Sequence, residues 1–121
     1  MTEAAKAHPI SIARNPNRVR VHFNGRVVAD SRSALTLREA SLRPVQYIPR
    51  EDVDMTLLER TSHRTHCPFK SDANYYTLSV DDRVAENAVW TYEDPYPGVA
   101  AIKDHLAFYP ERVDKIEELP G

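Results

Sequence analysis

Arg18-Val19-Arg20-Val21-His22-Phe23-Asn24-Gly25-Arg26-Val27-Val28-Ala29-Asp30 decides the fold class. Residues 18–23 alternate polar and apolar, the period of a half-buried strand. Asn24-Gly25 follows, and that pair tolerates the positive φ angles of a two-residue hairpin turn. Residues 26–30 then return as the second strand of the hairpin.

Working outward, residues 35–39 alternate again and predict a third strand. Residues 45–48 predict a fourth, closed off by Pro44 and Pro49. Residues 49–53 open a short helix, because proline and acids suit a first helical turn. Val53, Thr56 and Leu57 would share its face. Residues 61–67 are Thr-rich and extended. Residues 75–80 are a strand, Asp81-Asp82 is a turn, and residues 84–92 are another strand. Val84, Ala88, Trp90 and Tyr92 fall on one face of that strand, interrupted by Glu86.

Pro95-Tyr96-Pro97-Gly98 breaks the chain. Residues 99–105 suit a short helix, and residues 107–109 and 113–119 close the domain as strands. Many short strands with Pro and Gly punctuation predict a mainly β fold. The expected architecture is a compact antiparallel sandwich, open barrel or tent-like β domain with one or two short helices. Residues 1–8 are expected to be a loose leader, and residues 9–121 a single β-rich domain.

Composition narrows the function classes. A chain of 121 residues is one domain's length and needs no disulfide or metal staple to bury a core. The net charge of -2 provides no overall field for nucleic acid, so no nucleic-acid partner is expected. Residues 1–60 carry ten Lys/Arg and seven Asp/Glu, and residues 61–121 carry six and eleven. Within one folded domain those halves intermix into solvated faces. The lone cysteine, Cys67, cannot form an intrachain disulfide, which points to a reducing, cytoplasmic compartment. No apolar run reaches the roughly 20 residues that span a bilayer, so no membrane partner is expected.

Three blocks concentrate polar and aromatic chemistry. They are Tyr47-Ile48-Pro49-Arg50-Glu51-Asp52-Val53, His63 to Tyr75, and Trp90-Thr91-Tyr92-Glu93-Asp94-Pro95. Cys67 is the candidate nucleophile, with His63, His66 and Lys70 near it in sequence. A catalytic thiol wants a base and a cation close by. In an extended segment, however, His66 points away from Cys67. A buried free cysteine acting as a small hydrophobe is the alternative. His63-x-x-His66-Cys67 offers three metal ligands where structural zinc takes four, so no metal is expected. Asp52 and Asp54 form a loose carboxylate pair of the kind that can hold magnesium. An acidic first helical turn, favoured by the helix dipole, is the preferred explanation. Gly25, Gly98 and Gly121 are the only glycines, too few for a phosphate-cradling loop, and no cofactor is expected.

Lys70, Arg50 and Arg64 could hold an anion, while Tyr47, Tyr75, Trp90 and Tyr92 could form a stacking floor. Pro68 stiffens the turn before Lys70, whose ammonium is expected to face the pocket. The candidate ligand site is therefore Tyr47, Arg50, Asp52, Cys67, Lys70, Tyr75, Trp90 and Tyr92. The competing view makes Trp90 and Tyr75 core residues.

These blocks resemble the bacterial domain-of-unknown-function family 427. Its pattern has Tyr-Ile-Pro then Asp-Val, Thr-x-Cys-Pro-x-Lys-Gly-x-Ala-x-Tyr, and Trp-x-Tyr then Pro. The Asn-Gly hairpin, Val-Val-Ala-Asp-Ser and the closing Ala-Phe-Tyr fit as well, so the likeness covers nearly the whole chain. Ser71 stands where the pattern has glycine, and a positive φ there would strain it. The resemblance implies a compact, mostly antiparallel β domain. Similar β folds, including tent-like zinc proteins and reductases, place ligands in a cleft between sheets. Nucleotidyltransferase is a label attached to the family, and it carries no activity onto particular residues here. The expected function is a small-molecule-binding domain for an anionic or nucleotide-like ligand. The alternatives are an enzyme using Cys67 or the Asp52/Asp54 pair, and a protein-interaction domain.

Overall fold

A computed structural model describes residues 9–121. The leader expected over residues 1–8 lies outside the described residues. Ten strands are β1 (Ile10–Arg14), β2 (Arg18–Phe23), β3 (Arg26–Ser31), β4 (Leu35–Glu39), β5 (Val45–Tyr47), β6 (Leu58–Cys67), β7 (Ser71–Val80), β8 (Arg83–Tyr92), β9 (Leu106–Phe108) and β10 (Lys115–Leu119). They form three antiparallel sheets, ordered β1-β4-β5, β10-β2-β3 and β6-β7-β8-β9. The fold is mainly β, with no closed barrel. Paired hydrogen bonds between Ile48 and Leu106, 2.8 Å each way, join the first sheet to the third.

The Asn24-Gly25 turn forms as expected, with φ of 51° and 77°. On β2, Val19, Val21 and Phe23 are all fully buried and the residues between them are half-buried. Burial of such side chains stabilises by about 1.5–3 kcal/mol each. On β3, Val28 and Ala29 are both buried although adjacent. A register shift opposite Val21/His22 makes room for the extra residue there.

Two cores share the four-stranded sheet. One packs Val19, Val21, Phe23 and Val28 against Tyr76, Leu78, Val80 and Val89. The other packs Leu37, Tyr47, Val99 and Ile102 against Ala73, Tyr75 and Tyr92. Alternation along β7 therefore sends Tyr75 to one core and Tyr76 to the other. That double coverage explains its run of four buried residues, Ala73 to Tyr76.

Three details depart from the sequence expectations. Val84 and Ala88 do not share a buried face with Trp90 and Tyr92. Val84 is 59% exposed and Ala88 joins the other core. The cause is a bulge: Tyr76 pairs Val89 and Leu78 pairs Ala85, so four residue steps on β8 span two on β7. Asn87 takes φ 52° within it. The expected helices are 3₁₀ turns, Arg50–Asp52, Met55–Leu57 and Pro97–Ile102. Val53 stands between the first two as extended chain bridged to Ala29, so no single face carries Val53, Thr56 and Leu57. Strand β1, with Ile10 and Ile12 half-buried, adds to the strands expected from the sequence.

Candidate functional site

The site is built on an aromatic row. Cross-strand pairing sets Trp90 opposite Tyr75. The Trp90 ring packs 4.4 Å from that of Tyr109, and Tyr109 stacks on Tyr75 at 6.4 Å. Tyr47 meets Trp90 edge-on at 6.3 Å, and Tyr92 lies 6.5 Å beyond Tyr47. Hydrogen bonds lock the row. The Trp90 indole N–H donates to the Tyr47 hydroxyl at 3.2 Å. The Tyr75 and Tyr109 hydroxyls lie 3.2 Å apart, and Thr65 Oγ1 lies 3.0 Å from Tyr75. Tyr75 is buried, whereas Trp90 and Tyr109 are half-buried and keep surface free.

That free surface lines a groove. An apolar cleft of about 340 Å³ is bounded by Arg43, Pro44, Ile48, Trp90, Phe108 and Ile116. A smaller cleft of about 250 Å³ continues it past Arg43, Trp90, Tyr109 and Glu111. A polar bay of about 370 Å³ then opens at Tyr109 and Glu111. Shared lining residues make these one groove. At the far end Asn15, only 5% exposed, donates to both Gln46 Oε1 and Glu118 Oε1 at 3.0 Å. That bond pair ties β5 to β10 across the cleft.

Of the expected ligand residues, Tyr47, Tyr75, Trp90, Tyr92 and Cys67 do converge in one core. Only Trp90 and Tyr75 line the groove. Lys70 is 7% exposed, and its ammonium lies 2.5 Å from the Glu39 carboxylate. Arg50 reaches the other side of the four-stranded sheet, its guanidinium 5.9 Å from the Tyr76 ring centre. Asp52 accepts a 2.7 Å hydrogen bond from Ser31. Asp54 caps the 3₁₀ turn at Met55, accepting from the Thr56 backbone, and pairs with Arg26 at 3.3 Å. The Asp52/Asp54 carboxylates are thus engaged in local structure. No cluster of three metal-ligating side chains occurs among the described residues.

Cys67 is half-buried beside Tyr47 and Tyr92. As the strand period requires, His66 faces the opposite side, 2.6 Å from Asp72. Arg64 also pairs with Asp72, at 3.3 Å. His63 packs edge-on to Tyr75 at 4.5 Å. Ser71 has φ 111°, in the left-handed region that favours glycine, so serine is strained there.

Sequence reasoning missed Arg43, Tyr109, Glu111 and Arg112. Arg43 and Tyr109 each precede a proline, Glu111 and Arg112 follow one, and all four reach the groove through tertiary packing. Arg43 has no salt bridge among the described residues. Burial pushes the Tyr47, Tyr92 and Tyr109 hydroxyls well above the usual phenol range, and the nearby Glu39 carboxylate adds to the effect at Tyr47. At neutral pH all three are protonated and can donate. No helix among the described residues is long and apolar enough to cross a membrane.

No curated protein matches the chain. A family model described as Domain of unknown function (DUF427), and named NTP_transf_9, matches residues 11–119. That span takes in the hairpin, the Cys67-Pro68-x-Lys70 turn, the aromatic row and the groove, and the chain belongs to the DUF427 family.

Proposed function

We propose that this domain is a binding module for a small molecule that carries a flat ring and an anionic group. The observation that carries the reading is the groove over half-buried Trp90 and Tyr109, with Arg43, which has no salt bridge among the described residues, on its lip. A planar ring seats against the exposed indole face, where stacking adds to apolar burial. Arg43 offers a charge-assisted hydrogen bond to a phosphate or carboxylate. Lys70 and Arg64 already hold protein carboxylates, which favours Arg43 for that role.

Trp90 is the only tryptophan, so its single indole N–H resonance reports on the groove. Titration with 2-naphthol and with 2-naphthyl phosphate tests the reading. Both should shift the resonance, the phosphate binding about tenfold tighter. Trp90→Leu should weaken both, followed by ring-current changes near Tyr109. Arg43→Gln should remove only the phosphate's advantage. Absence of any shift by either compound would sink the binding-module reading.

A further inference from the structure

The polar bay at the end of the groove is chemically unlike the apolar cleft it joins. His63, Tyr75, Asn87, Tyr109, Glu111 and Arg112 line it. The β8 bulge builds it. Tyr109 N donates to Ala88 O at 3.0 Å, and Arg112 donates to Glu86 O at 2.9 Å. These bonds dock the Pro110–Arg112 turn against the bulge beside Asn87.

Its hydrogen-bonding capacity is only partly spent. Asn87 Oδ1 accepts from Thr61 Oγ1 at 2.7 Å, which leaves the amide N–H groups as donors. Arg112 uses Nη1 on Glu86 and keeps its remaining N–H groups. Glu111 has no salt bridge or side-chain hydrogen bond among the described residues. The Tyr109 hydroxyl has one contact, with Tyr75, and retains further capacity, whereas the Tyr75 hydroxyl also meets Thr65.

Charge selects the occupant. Arg112 and Glu111 bring opposite charges to the bay. A phosphate in this bay would face the Glu111 carboxylate. A neutral group rich in hydroxyls would meet an acceptor pair and several donors at once. A carboxylate's two oxygens match the O–H groups of a vicinal diol, and the Tyr109 ring offers a face for the C–H groups beside them.

We propose that this bay is a subsite for a neutral polyhydroxyl group, with Glu111 accepting from a vicinal diol and Asn87 and Arg112 donating. The inference rests on the groove reading above, and it makes the ligand a flat ring bearing a sugar-like substituent. The ring lies on Trp90 and the sugar reaches past Tyr109.

The test compares 2-naphthol with 2-naphthyl β-D-glucoside on the intact chain, read by the Trp90 indole resonance and by calorimetry. The glucoside should bind about tenfold tighter, as hydrogen bonds to a charged acceptor predict. Glu111→Ala should abolish that gain, so that the glucoside and 2-naphthol bind the variant equally. Glu111 is exposed, so the variant should fold; Glu111→Gln, which keeps one acceptor oxygen, should retain part of the gain. Equal affinity for glucoside and 2-naphthol, or a gain that survives Glu111→Ala, would overturn the subsite while leaving the groove reading intact. A 2-naphthyl phosphate gain lost in Arg112→Ala rather than Arg43→Gln would also overturn it, by marking the bay as an anion site. No shift with any of the compounds would overturn both readings.

Discussion

The Lys70 ammonium lies 2.5 Å from the Glu39 carboxylate, and the residue following each partner has positive φ, 111° at Ser71 and 48° at Ala40. The pair joins the β6–β7 turn to the end of β4, with side chains 9% and 12% exposed. Burying two charges is costly, and mutual attraction offsets the cost only while both remain. Non-glycine residues at such φ angles add strain of about 1–3 kcal/mol each. Two positive-φ residues thus flank one buried ion pair.

Lys70→Met keeps the aliphatic stem and removes the ammonium beside the buried Glu39 carboxylate. It should destabilise the fold by about 3–5 kcal/mol. Adding Glu39→Leu should recover part of that loss, because the two groups interact directly. Urea unfolding of the wild type, both single variants and the double variant measures the coupling. A Lys70→Met loss under about 0.5 kcal/mol, the scale of a surface substitution, would show that the pair is not a structural unit.

Ser71→Gly should stabilise. Relief of the left-handed strain outweighs the entropy glycine loses on folding, for a net gain of about 1 kcal/mol. The Cys67 carbonyl accepts from Lys70 N at 3.2 Å across this turn, and glycine leaves that bond unchanged. Thermal unfolding measures the effect. An unchanged or lower midpoint would mean that the backbone relaxes around serine at no cost.

Tyrosine ionisation should couple to unfolding at high pH. Burial raises Tyr47, Tyr92 and Tyr109 above their unfolded value of about 10. A raised folded pKa gives stability that is full below about pH 10 and falls as pH rises further. Three of the six tyrosines should therefore ionise late, with loss of structure. Absorbance at the tyrosinate band, recorded with circular dichroism from pH 9 upward, follows both events. Six tyrosines titrating together near pH 10 in the folded protein would contradict the buried row. Tyr47→Phe should weaken the alkaline dependence and free the Trp90 indole N–H, which should exchange faster with solvent.

Much of the fold was legible because its signals are local. The Asn24-Gly25 turn, the alternation on β2 and the prolines around β5 act within a few residues, and each forms. The Ser71 strain was also legible, from the glycine expected at that place. The site was legible only in part. Tyr47, Tyr75, Trp90 and Tyr92 were chosen as aromatic neighbours of three blocks, and they do meet.

By itself the sequence determined the strand period, the hairpin turns and the aromatic stock of this protein, because φ preference and side-chain alternation depend on adjacent residues. Tertiary structure decided everything that depends on distant partners. It gave Lys70 to Glu39, 31 residues away. It sent Arg50 to Tyr76 on the far side of the sheet from Trp90. Through the Asn87 bulge it left Val84 in solvent and docked the turn that carries Glu111 and Arg112. A sheet covered on both faces assigns neighbouring residues to different cores, and no local pattern states that the groove draws its lining from both.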